Sequence, residues 1–177
     1  AALLQHHDML RSRYWQENGK WQQEIQAVSP QFTFASVYLT ATTVSEQQKQ
    51  MMQKIEELQG SLNLEQGKLL AMGYFESGHF ARLFITIHHL VIDGVSWRIF
   101  LEHLIQGYEL LQRGEAPVLP PKTTSFSYWA QKLEGLAQTP RLQAEISFWS
   151  RQVKSNKIPI DFPSGDNCES SAQTIAL

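Results

Sequence analysis

Apolar positions change their spacing several times along this chain, and each change marks an element. "AALLQHHDML" at 1–10 has the composition of a short helix. In "RSRYWQENGKWQQEIQ" at 11–26, Asn18-Gly19 lies between two aromatic-bearing runs, which predicts a hairpin turn. "FTFASVYL" at 32–39 predicts a third strand. From Val44 to Leu62, Met51, Ile55 and Leu58 recur at helical spacing on a polar background, so an amphipathic surface helix is expected, with Ser45 as its N-cap. "KLLAMGYFES" and "HFARLFITIHH" read as a second hairpin turning at Ser77-Gly78.

After Gly94 the period lengthens again. Trp97, Leu101, Leu104, Tyr108 and Leu111 predict one inward helical stripe, stopped by Gly114. A Pro-rich connector, "APVLPPKTTS" at 116–125, leads into two more expected helices, "SFSYWAQKLEGLA" and "PRLQAEISFWSRQV". "SNKIPIDFPSGDNCESS" at 155–171 has loop composition, and "SAQTIAL" at the end reads like the start of a strand. Hairpins mixed irregularly with helices argue for an α/β or α+β layered sandwich. With no initiator Met and no N-cap ahead of the first helix, the chain is expected to be an excised fragment.

Composition narrows the function classes. The chain has 177 residues, 42% of them hydrophobic and 11% aromatic, and a net charge of −2, as one globular unit would. Fifteen basic and seventeen acidic residues are scattered without runs, so neither nucleic acid nor a membrane is an expected partner. Cys168 has no second cysteine, which excludes an internal disulfide or a Cys-rich zinc site. No stretch reaches the roughly 20 apolar residues of a membrane span, and the start lacks the pattern of a signal peptide. A cytoplasmic location is expected.

The candidate chemistry lies in "HHLVIDGVSW" at 88–97, where the last strand meets the following helix. Neighbours on a strand point to opposite faces, so His88 and His89 should not share a ligand, and no metal site is expected. His89 follows the more apolar face, with Ile87, Ile85, Leu83 and Ala81. It is expected to be desolvated, neutral and able to accept a proton. For an isolated doublet, structural histidines capping a strand are the favoured account, and His6-His7 is given that plain reading. Asp93-Gly94 adds a tight turn, open backbone at Gly94 and a helix N-terminus that could stabilise an anionic oxygen. Asp93 can cap that helix, pair with an arginine or act in acid-base chemistry. Ser96 can donate to a substrate oxygen or to backbone, and Trp97 is expected in the core.

These residues resemble the HHxxxDG motif of condensation and epimerization domains of nonribosomal peptide synthetases. "HHDMLRSRYW" at 6–15 resembles the second conserved block of that superfamily. "LPPKTTSFSYWAQKL" at 119–133, together with "DGVSWRI" at 93–99, is more similar to epimerization domains than to peptide-bond-forming ones. The resemblance implies a chloramphenicol acetyltransferase-like lobe with a mixed sheet and flanking helices. Residues 1–160 would be a partial N-terminal lobe, and 161–177 a crossover into a C-terminal lobe.

It further implies removal and return of the α-proton of an aminoacyl or peptidyl thioester. The partner would be a peptidyl carrier protein bearing its phosphopantetheine arm, working beside adjacent synthetase domains, and this chain would bind no cofactor of its own. His89 would be the catalytic histidine, Gly94 and Ser96 would lie near the substrate oxygen, and His88 would be structural. Asp93 would pair with Arg11. The second acid-base group, implied to be a glutamate, would lie beyond Leu177, so the fragment should not turn over alone. The alternatives are a condensation domain using the same histidine and a docking module without chemistry.

Overall fold

A computed structural model describes residues 1–27, 32–41 and 43–152. The loop at 155–171, the strand expected from Ser171, Cys168 and the crossover at 161–177 lie outside them.

The chain opens on α1 (Ala2–His6), followed by a 3₁₀ turn over Asp8–Arg11. β1 (Ser12–Glu17) and β2 (Lys20–Ile25) form the expected antiparallel hairpin. Its two-residue turn places both Asn18 (φ 51°) and Gly19 (φ 73°) in the left-handed region, the conformation for which Asn-Gly is suited.

β3 (Thr33–Tyr38), β4 (Leu70–Glu76) and β5 (Ala81–Ile87) make a mixed sheet in the order β3-β4-β5. β3 runs parallel to β4, and the connection between them carries α2 (Val44–Gly60). β4 and β5 are antiparallel, with Leu70 opposite Ile87 and Glu76 opposite Ala81. Thr43 caps α2, rather than the Ser45 expected from sequence. Its Oγ1 accepts from the Glu46 amide (3.3 Å) and donates to the Glu46 carboxylate (2.7 Å), so the two residues satisfy one another across the first turn.

Strand alternation sends successive β4 residues to opposite layers. Ala71 and Phe75 join Leu39 and Leu58 in a core with Met51 and Ile55, which are the predicted α2 face. Leu70 packs on the other side with Leu4, Leu10, Ile87, Ile92 and Phe100. The sheet is therefore covered by α2 on one face and by α1 and α3 (Gly94–Gln112) on the other. This is the layered α/β arrangement the sequence predicts.

Gly73 lies under α2, where an added Cβ would come within 2.8 Å of Leu58 and 2.7 Å of the Phe75 ring. Both of these side chains are 2% exposed or less, so neither has room to give.

The inward stripe of α3 differs from the expected one. Phe100 is buried, Trp97 meets it edge-on at 6.0 Å, and Leu104 packs beside them, whereas Leu101, Tyr108 and Leu111 are exposed. The expected stripe passed over Phe100; the arc that reaches the sheet runs through Trp97, Phe100 and Leu104, which leaves Leu101, Tyr108 and Leu111 outside it. α4 (Phe126–Ala137) and α5 (Pro140–Gln152) match the last two predicted helices. The chain divides into one compact unit at Ala1–Ala130 and a second that begins at Gln131. Among the described residues no helix is long and apolar enough to cross a membrane.

Candidate functional site

β5 ends at Ile87, and the doublet occupies the connection between it and α3. The His88 amide still donates to Leu69 O (2.9 Å), extending the β4–β5 ladder by one bond. Its Nδ1 accepts from the Leu90 amide (3.2 Å), and its carbonyl accepts from the Val91 amide (3.0 Å). Half-buried and bonded on three sides, His88 shapes the turn.

His89 is exposed, not sunk beneath the apolar face of β5. Two features account for this. Strand alternation stops at Ile87 and so does not orient His89, and Leu83 on that face is itself 49% exposed.

Asp93 caps α3. Its backbone is extended, and its Oδ1 accepts from the Ser96 amide at 2.7 Å. That hydrogen bond, with smaller help from the Val95 amide, holds the carboxyl below the usual carboxylate range. The expected Asp93 to Arg11 pair is not formed. Arg11 donates instead to Asp8 Oδ1 (3.0 Å), to Gln26 O (3.0 Å) and to the carbonyls of Leu4 and Gln5. Asp8 lies three residues before Arg11 on the 3₁₀ turn, and the C-terminal carbonyls of α1 lack partners within their helix. These local acceptors engage all three guanidinium nitrogens, while the cap engages Asp93 Oδ1.

The cap also bears on the helix amides expected to face a substrate oxygen, since the Ser96 amide is committed to Asp93. The space over Gly94 is open, with no atom within 4 Å of a Cβ placed there.

Ser96 faces a different neighbourhood. It lines a cleft of about 260 Å³ together with His6, His7, Asp8, His103 and Lys122. His7 Nε2 and His103 Nδ1 are 3.1 Å apart, and the His6 ring meets them edge-on at centroid distances of 4.9 and 4.8 Å. Burial, followed by His6 and His103, pushes His7 down to about 4. His6 is lowered too, by burial and then by His103 and Lys122. Burial alone would raise the Asp8 carboxyl, but hydrogen bonds from Lys122 (2.6 Å) and Arg11 outweigh it and hold the group below the usual range.

Sequence reasoning missed this cluster. The doublet at 6–7 was visible, but His103 lies 96 residues away and meets it only through the packing of α1 on α3.

Likeness to known proteins points one way. The condensation-domain family matches residues 1–176. A linear gramicidin synthase protein of Brevibacillus parabrevis is 41% identical over 99% of this chain, which spans 2% of that protein. Surfactin synthase subunit 1 of Bacillus subtilis (strain 168) is 36% identical over 98% of the chain, which spans 5% of it.

Among solved structures, the epimerization domain from the third module of tyrocidine synthetase B is 32% identical with a TM-score of 0.81, covering 90% of this chain and 36% of its own. The starter condensation domain of rhizomide synthetase shares the fold, at 17% identity and a TM-score of 0.70, covering 89% of this chain and 38% of its own. The architecture is thus the condensation-domain fold, related to chloramphenicol acetyltransferase.

Proposed function

The chain belongs to the condensation-domain family, and from that premise we propose that it is part of an epimerization domain of a nonribosomal peptide synthetase. Its substrate is an aminoacyl or peptidyl thioester held by the phosphopantetheine arm of a peptidyl carrier protein. The observation that carries this reading is the contrast between two likenesses over similar shares of the chain: 32% identity and a TM-score of 0.81 to an epimerization domain, against 17% and 0.70 to a condensation domain. The "DGVSWRI" and "KTTSFSYWA" segments support the same choice.

The chemistry asks for little from this chain beyond a placed base. His89 accepts the α-proton, and the C–H electron pair passes into the thioester carbonyl as an enolate. A second acid-base group returns a proton to the opposite face, giving the other configuration. By the resemblance that group is a glutamate outside these 177 residues. Exposure of His89 in the strand-to-helix connection that ends at the open Gly94 suits a base reached by a long arm. His88 and Asp93 are positioning residues in this scheme and Gly94 borders the oxygen, whereas Arg11 and Ser96, expected beside them, face Asp8 and the His6–His7–His103 cleft instead.

The test is deuterium wash-in at the α-carbon of a carrier-bound aminoacyl thioester, catalysed by the intact parent domain and its His89→Ala variant. Exchange in the wild type that falls by at least about 100-fold in the variant is the expected result. No exchange, with the carrier verified as loaded, overturns the proposal. Peptide-bond formation in that case favours the condensation reading, supported by the family match over residues 1–176. Neither activity would favour a docking module.

A further inference from the structure

We propose that His6, His7 and His103 bind a divalent transition ion of the zinc class, leaving a fourth coordination position open to the cleft lined by Ser96 and Lys122. One ring nitrogen from each histidine lies within 4.8 Å of the others. Zinc–imidazole bonds of 2.0–2.1 Å in a tetrahedron place ligand nitrogens about 3.3 Å apart. The 3.1 Å between His7 Nε2 and His103 Nδ1 already meets that spacing. His6 lies edge-on to both rings, with its nitrogen inside the 4.8 Å spread of the three, and must close the rest of that gap to coordinate the same ion.

The donor set selects the ion. Three imidazoles without a thiolate suit zinc, nickel or copper, and disfavour magnesium or calcium, which need oxygen cages. The charged side chains around the cleft, Lys122, Arg11 and Asp8, sum to one positive charge, so the affinity rests on the three imidazoles. Lys122 adds a cation to the cleft, but it is paired at 2.6 Å with Asp8, which also holds Arg11.

Binding requires no redox step. The hydrogen now shared between His7 Nε2 and His103 Nδ1 moves to the far nitrogen of whichever ring carries it, and three N–metal bonds replace waters of the aqua ion. The ion would clamp α1 to α3 across 96 residues of sequence. His88 and His89 take no part.

The experiment titrates the full chain, first stripped with chelator, with Co²⁺ alone and then with Zn²⁺ alone. One Co²⁺ per chain, with the strong visible absorption of a tetrahedral site and displacement by Zn²⁺, is expected. His6→Gln and His103→Gln should each weaken binding by about 100-fold or more, since even outer-shell changes at metal sites cost 10–100-fold. A His88→Gln/His89→Gln double variant should bind as the parent does. If His103→Gln does not fold, as circular dichroism would reveal, His6→Gln decides, because its ring is less enclosed than that of His7. A weak octahedral spectrum, binding unchanged in His6→Gln, or binding lost only in the double variant overturns the proposal.

Discussion

Arg11 satisfies four acceptors at once: the Asp8 carboxylate and the carbonyls of Leu4, Gln5 and Gln26. Its side chain is only 13% exposed, so water cannot replace it freely. Arg11→Ala should lower the unfolding free energy by about 2–3 kcal/mol, the worth of charge-assisted bonds lost from partly buried acceptors, and urea denaturation would measure it. Arg11→Lys should recover less than half, because an ammonium cannot spread donors over a planar fork. A wild-type midpoint in Arg11→Ala would refute the assignment.

The importance of Arg11 was legible in the sequence through its block, but its partner was not. Sequence order cannot rank Asp8, three residues away, above Asp93, 82 residues on, because the choice depends on where the α1 carbonyls end. His88 and His89 show the same division. Their place between strand and helix followed from the change of period, whereas the exposure of His89 depends on packing that no local pattern records.

At the scale of elements, the predicted helices and strands are present through Gln152 because each carries its own signal: two-residue periodicity for the strands, three-to-four spacing for the helices, Gly or Pro between them. What local signals left open was the pairing. Nothing in "FTFASVYL" says that it will lie parallel to β4, and that arrangement requires α2 to cross the sheet. Gly73 is where the crossing leaves its mark. Gly73→Ala should destabilise the chain by about 1–3 kcal/mol through overpacking against Leu58 and Phe75. At this chain length that corresponds to a fall of several degrees in Tm, measurable by calorimetry. Trimming Leu58 to Val in the same chain should recover part of it, whereas an additive double variant would place the strain elsewhere.

Over the whole molecule, the apolar side chains outnumber the places available to cover them. On α3 alone Val95, Ile99, Ile105 and Tyr108 are each more than 40% exposed, and Trp129 is 56% exposed. Exposed apolar side chains in this number are more than a soluble monomer usually shows. The isolated chain should therefore self-associate in a concentration-dependent way, and sedimentation velocity over a hundredfold dilution would reveal it. Val95→Glu with Ile105→Glu should return it towards a monomer. A monodisperse monomer throughout would count against this reading of the surface.

The β3-α2-β4 crossover has a consequence in time as well as in space. β3 precedes its partner strand β4 in the chain, and between them lie α2 and its flanks, roughly thirty residues. A ribosome adding about 5–20 residues per second needs on the order of seconds to make them. Throughout that interval the ladder groups of β3 that face β4 have no match, whereas β5 follows β4 after only a short turn. Of the three strands in this sheet β3 is made first and waits longest for a partner, and that wait is when its open ladder is most prone to mispairing.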